Sequence, residues 1–156
     1  MVAYRFDREP VRGYASSNSW TSNLEFEVMT PAGTVARLPH SEVKVVCFVR
    51  EFDAGGWSGE QRVFKSRPKS EGLWVRAHFR DNDYLEGIIA NDLAQLDPLG
   101  FLISPPDATS NTQRVLIPKT SVKELKVLGV VGPPAHKRRP VQATDEAQIG
   151  LFEQLR

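Results

Sequence analysis

Apolar positions in this chain recur in short alternating or continuous runs, and nowhere before the C-terminus at sustained helical spacing. VAYRF, VRGYAS, LEFEVMT, TVARLP and VKVVCFV, between Val2 and Val49, are rich in valine and phenylalanine and are bounded by Pro, Gly, Asn and Asp. Such runs predict β-strands separated by turns. Five strands in about fifty residues is the length and spacing of a small all-β barrel. Closing the barrel would also remove most of the exposed sheet edge.

The pattern is written twice. YRFDREPVRGY stands beside AHFRDNDYLEGII, which aligns Phe6 with Phe79 and Gly13 with Gly87. FEVMTPAG is echoed by FLISPPDA, and VARLPHSEVKVV by RVLIPKTSVKEL, which aligns Pro39 with Pro118. The spacing between copies drifts from roughly 73 to roughly 79 residues because the second copy has a longer loop, DATSNTQ, where a duplicated fold tolerates an insertion.

The expected fold class is therefore mainly β: two tandem five-stranded small barrels related by internal duplication, plus an extended or short-helical C-terminal tail. The expected organisation is a first repeat over 1–50, an inter-repeat linker over 51–71, a second repeat over 72–130, and a Pro/basic linker with a terminal peptide over 131–156. Gly13 and Gly87 are expected where a bent strand crowds a neighbour and leaves no room for a side chain. Ser41 and Thr120 are expected to start and cap a one-turn helix. Val11, Val45, Cys47, Leu85, Ile117 and Val122 are expected in the core.

Composition narrows the function. The 156 residues are 40% hydrophobic and 25% charged, with a formal net charge of +1, so nucleic-acid or acidic-lipid contact requires a local basic patch. The single cysteine, Cys47, lies in an apolar run and excludes an intramolecular disulfide. No window approaches the roughly 18 apolar residues of a membrane span, and the N-terminus is charged where a signal peptide is apolar. A cytoplasmic location without membrane contact is the expectation.

Catalytic chemistry is not written in the chain. His40, His78 and His136 have no ligand partners at metal spacing, and there is no Gly-x-Ser-x-Gly elbow. Gly55, Gly56 and Gly59 lack the Lys-Ser/Thr of a phosphate loop. Asp81 and Asp83 suit the hairpin turn that contains them. No catalytic residue, metal, cofactor or small-molecule substrate is expected, and the protein reads as a non-enzyme.

Two segments concentrate positive charge. QRVFKSRPKSEGLW carries Arg62, Lys65, Arg67 and Lys69 among Trp57, Phe64 and Trp74, which suits phosphates and stacked bases. It equally suits aromatic rings that close the two barrels over each other, with cations solvating the outside. HKRRP carries Lys137, Arg138 and Arg139 between Pro133, Pro134 and Pro140, which oppose helix and sheet pairing. It reads as a cationic spacer, with or without a phosphate contact.

The apolar-flanked charged turn, the strand glycine and the late apolar-proline corner together resemble the Sm-like and SH3-like small barrels. The doubled arrangement is similar to a family of uncharacterised bacterial proteins. The RNA-binding Sm pattern departs here, because neither its Asp-x-aliphatic-Asn loop nor its Arg-Gly loop is present, and LPHSEV and IPKTSV stand where the latter would be. RNA binding is therefore not implied residue by residue.

Beyond the basic spacer, TDEAQIGLFEQLR permits a short helix with Thr144 as its cap and Ala147, Leu151 and Leu155 on one face. Within it Gln148, Ile149, Gly150, Leu151 and Phe152 resemble the pentapeptide by which bacterial polymerases and repair proteins dock on the sliding clamp. That resemblance implies a polar seat for Gln148 and an apolar pocket for Leu151 and Phe152, flanked by Ile149. The expected function is an adaptor whose tail binds a protein partner, the clamp foremost. The alternative is a small-barrel protein that binds RNA or DNA through the basic inter-repeat surface.

Overall fold

A computed structural model describes residues 1–15, 25–53, 57–91, 99–107 and 109–132. It contains ten strands among these residues and no α-helix. They are β1 (Val2–Arg5), β2 (Val11–Arg12), β3 (Glu25–Met29), β4 (Val35–Pro39), β5 (Val43–Val49), β6 (Gly72–Phe79), β7 (Tyr84–Ile89), β8 (Gly100–Ile103), β9 (Thr112–Pro118) and β10 (Val122–Val131).

The strands form three sheets: β2-β1-β5-β9-β8, β10-β6-β7 and β3-β4. None closes into a barrel, which corrects the expectation of closure. The reason lies in β5. It pairs with β1 on one edge and gives its other edge to β9, so the central sheet runs from one half of the chain into the other. Single bridges, Tyr14 to Met29 and Ile88 to Ser104, link β2 to β3 and β7 to β8 across the sheet boundaries.

The two halves pair their strands in step. Val2↔Arg12 and Ala3↔Val11 in the first stand as Arg76↔Glu86 and Ala77↔Leu85 in the second. Phe26↔Leu38 stands as Phe101↔Ile117, and Glu25↔Pro39 as Gly100↔Pro118. The first-to-fifth strand pairs agree down to an irregularity: Ala3↔Val46, Tyr4↔Val45 and, past it, Arg5↔Val43 match Ala77↔Leu125, His78↔Glu124 and Phe79↔Val122. In this register Gly13 lines up with Gly87 and Pro39 with Pro118. Phe79 corresponds to Arg5, and Phe6 to Arg80, so the sequence alignment of Phe6 with Phe79 is one residue out. The connection between the paired strands has the same length in both halves, and the aromatic stands one position later against the pairing in the first, so identity of side chain misled where backbone pairing decides.

Both corresponding glycines sit where another strand crosses. A Cβ on Gly13 would come within 2.3 Å of the Met29 carbonyl oxygen, and one on Gly87 within 2.9 Å of the Ser104 carbonyl oxygen. The turns before β5 and β10 differ from the expected capped helix. Residues 119–121 form a single 3-10 turn with no side-chain cap, and Thr120 lies inside it. Its hydroxyl donates instead to the His40 carbonyl, 3.0 Å away in the other half.

Two apolar clusters flank the central sheet. One joins Val45, Cys47, Val115 and Ile117 to Val75, Ala77, Phe79, Leu85, Ile89, Phe101, Ile103 and Trp57. The other joins Ala3, Val43, Val46 and Leu116 to Phe26, Val28 and Leu38. Of the expected core, Val45, Cys47, Leu85 and Ile117 are fully buried, whereas Val11 and Val122 are half-buried at the margins. Burial, with the charge of Glu60 next, pushes the Cys47 thiol far above its ordinary range.

Candidate interaction surfaces

The segment 57–71 is bound to the fold by two carboxylates, the half-buried Asp83 and the buried Glu86. Trp57 packs in the larger cluster, 5.9 Å from the Tyr4 ring and 6.4 Å from Phe79. Beside it, Lys44 reaches out of an otherwise apolar strand to Asp81 at 2.6 Å and Asp83 at 2.7 Å, with its ammonium 5.1 Å from the centre of the Phe79 ring. Arg62 pairs with the same Asp83 and lies over the Trp57 ring. Burial opposes ionisation of Asp83, but the hydrogen bonds from Lys44 and the Tyr84 backbone and the charges of Lys44 and Arg62 outweigh it. The carboxyl is held below its usual range.

Glu86 is the second carboxylate, with 2% of its surface exposed. Its Oε2 accepts from the Phe64 backbone N–H at 3.0 Å and from Trp74 Nε1 at 3.1 Å. Its Oε1 accepts from Arg76 through Nε at 3.0 Å and through Nη2. The Glu86 backbone N–H donates to the Arg62 carbonyl at 2.8 Å. Four donors on one carboxylate fix the segment against β6 and β7, and Phe64 meets Trp74 edge to face at 6.0 Å.

The expected basic patch is thereby divided. Arg62 turns inward to Asp83, while Lys65, Arg67 and Lys69 are exposed on the outside of the same segment. Arg67 also donates to the Val130 carbonyl at 3.2 Å. Lys137, Arg138 and Arg139, and the whole of Gln148, Ile149, Leu151 and Phe152, lie outside the described residues.

Two features were not singled out from sequence. Arg5, Arg8 and Arg80 converge with Phe6, Asp7, Ser41 and Glu42 on a shallow polar cleft. The Arg80 guanidinium stacks 4.0 Å from the centre of the Phe6 ring and donates to the Ser41 carbonyl, and Glu42 pairs with Arg8 at 3.3 Å. The cations are largely answered within the cleft. Lys44 was legible as the one cation inside VKVVCFV, a position that demands a buried partner. Among the described residues, no three His, Cys, Asp or Glu are grouped to hold a metal ion, and no helix is long and apolar enough to cross a membrane.

Exposed large apolar side chains among the described residues concentrate toward sheet edges. Val127 and Val130 are each 61% exposed and Leu125 and Leu128 about two-fifths exposed along β10, and Val35 and Met29 are 61% and 51% exposed at the end of the β3-β4 hairpin. β10 and β4 are both edge strands. The geometry defines a mainly-β protein of several sheets whose distinctive features are surfaces.

Residues 1–129 match a protein family described as DUF6982, a family of unknown function, and the chain belongs to it. No curated protein and no solved structure matches. The family match stops short of the basic spacer and the QIGLF peptide.

Proposed function

We propose that the protein is a non-enzymatic cytoplasmic adaptor: two copies of one five-stranded unit of the Sm/SH3-like small-barrel type, carrying a C-terminal peptide that docks on the bacterial sliding clamp. The in-step strand register of the two halves supports the duplication. The observation that carries the function is the sequence Gln148-Ile149-Gly150-Leu151-Phe152. It lies 16 residues beyond Gly132, past the end of the family match and behind Pro133, Pro134 and Pro140. Its distance from the described core lets the peptide be presented without unfolding a strand.

Burying Leu151 and Phe152 gains roughly 1.5–3 kcal/mol each, and ordering the segment takes back roughly 2–5. The contacts of Ile149 and Gln148 must add the remainder, so one tail is expected to bind at about micromolar affinity. The test is titration of labelled tail peptide with purified clamp, alongside clamp binding by the intact chain and by the Leu151→Ala, Phe152→Ala variant. Binding lost in the variant, with an unchanged melting temperature, supports the reading. No signal at tens of micromolar clamp refutes it.

A second reading rests on Lys65, Arg67 and Lys69, three exposed cations on one rigidly anchored segment. A nucleic-acid surface there would lose affinity steeply between low and moderate salt. Charge reversal at these three positions would abolish binding to a single-stranded oligonucleotide while sparing the clamp.

A further inference from the structure

Counting the two bridges, the strands follow one another in the order β4-β3-β2-β1-β5-β9-β8-β7-β6-β10, and the succession begins and ends on an edge. In its middle the fifth strand of the first half pairs antiparallel with the fourth strand of the second, Val46↔Leu116, Cys47↔Val115 and Phe48↔Arg114. The two outer edges, β10 and β4, are the corresponding fifth and fourth strands. The chain thus contains one completed joint and the two separate halves of another.

The geometry points to self-association, in which β10 of one chain pairs antiparallel with β4 of a second copy and repeats the β5-β9 joint. This rests on the duplication reading, from which the register follows. Leu125 would face Arg37, Lys126 would face Ala36, and Val127 would face Val35. The last pair brings together two of the three most exposed large apolar side chains among the described residues. Met29, the cross-strand neighbour of Val35, extends the same patch, and Leu128 and Val130 continue it along β10.

A second copy is the occupant because the internal joint already shows that a fifth and a fourth strand of this sequence fit edge to edge. A ten-residue edge with four exposed aliphatic side chains and no proline is one that folded proteins otherwise cover, and the charges of Lys123, Glu124 and Lys126 leave Val127, Leu128 and Val130 beyond them uncovered. The contact is heterologous, since one chain offers β10 and accepts on β4. It leaves a free edge at each end of a dimer, so assembly continues until a ring closes, or as a filament where it does not.

The test combines two readouts on the full chain. Sedimentation over a concentration series gives the mass, expected as a multiple of 17.5 kDa. Oxidation of mixed Val35→Cys and Val127→Cys chains reads the register, and the expected product is a disulfide between the two variants, with little of either homodimer. Val127→Lys is expected to return the chain to a monomer with an unchanged melting curve. A monomer at every concentration up to hundreds of micromolar overturns self-association and leaves the duplication standing. An assembly that cross-links elsewhere overturns the register and the duplication behind it. Assembly that survives Val127→Lys and is lost on truncation after Gly132 assigns the contact to the tail and overturns the proposal.

Discussion

Replacing Glu86 with glutamine changes the shape of the side chain hardly at all and removes what anchors segment 57–71. The carboxylate offers only acceptors, and all four groups aimed at it are donors: the Phe64 N–H, Trp74 Nε1 and two nitrogens of Arg76. A glutamine must point its own NH2 at one pair of them. If the amide faces Arg76, that half-exposed guanidinium recovers water, so the loss is one or two charge-assisted bonds. If it faces Phe64 and Trp74, two donors are stranded away from water. An unsatisfied buried donor costs about 1–3 kcal/mol and a hydrogen bond to a charged group contributes about 1.5–3. The cheaper orientation therefore costs about 2–4 kcal/mol, equivalent to a melting temperature lower by roughly 4–16 °C at this chain length. Urea unfolding followed by tryptophan fluorescence measures it, since Trp57 and Trp74 flank the network. Tryptic cleavage after Arg62 or Lys65 should accelerate in parallel. A loss below about half a kcal/mol, with cleavage unchanged, would mean that 57–71 is held by Trp57 and the Arg62–Asp83 pair and that the Glu86 network is incidental.

Three further outcomes follow. Asp83, whose folded carboxyl titrates below its usual range, contributes stability that is present above the unfolded value of about 3.9 and is lost as pH falls through the lower folded value. Asp83→Asn should lower stability at neutral pH and flatten this acid limb, and an unchanged limb would move its origin elsewhere. Gly13→Ala should destabilise far more than Gly59→Ala, because its Cβ would lie 2.3 Å from a backbone oxygen while that on Gly59 meets nothing within 4 Å; equal melting temperatures would contradict the close crossing of β2 and β3. Cys47, buried and held protonated, should react with a thiol reagent at mildly alkaline pH only as fast as the chain unfolds, and rapid stoichiometric labelling of the native protein would place it on the surface.

Strand positions were legible because each apolar run is bounded by turn residues, and the pairing of Gly13 with Gly87 and Pro39 with Pro118 is what suggested two halves. Closure was not legible. Nothing in VKVVCFV says whether its second edge meets its own half or the other, since continuous burial is the signature of either arrangement. What holds the linker was not legible for a related reason. Gly55, Gly56, Gly59 and four cations are the composition of a solvated spacer, and composition does not record that Glu86, in a strand further along the chain, supplies the carboxylate that binds it down. The alignment of Phe6 with Phe79 failed because the aromatic stands one position later against the backbone pairs in the first half, a difference that side-chain similarity does not record.

β5 accounts for both the apolar run and the absence of two independent cores. Its residues feed opposite faces, with the irregularity between Val43 and Val45 moving Val43 to the side of Val46: Val45 and Cys47 enter the cluster under β6 and β7, while Val43 and Val46 enter the one under β3 and β4. β9 does the same with Val115 and Ile117 on one side and Leu116 on the other. The β5-β9 joint is therefore a shared wall, and each half of the chain completes the other's core. β10 and β4 hold the corresponding places at the ends of the succession, yet Leu125, Val127 and Val35 there remain exposed. The outer edges differ from the inner joint in lacking a neighbour and in carrying Glu124, Lys126 and Arg37 where β5 and β9 carry Val45, Cys47 and Leu116. A second chain would supply that neighbour.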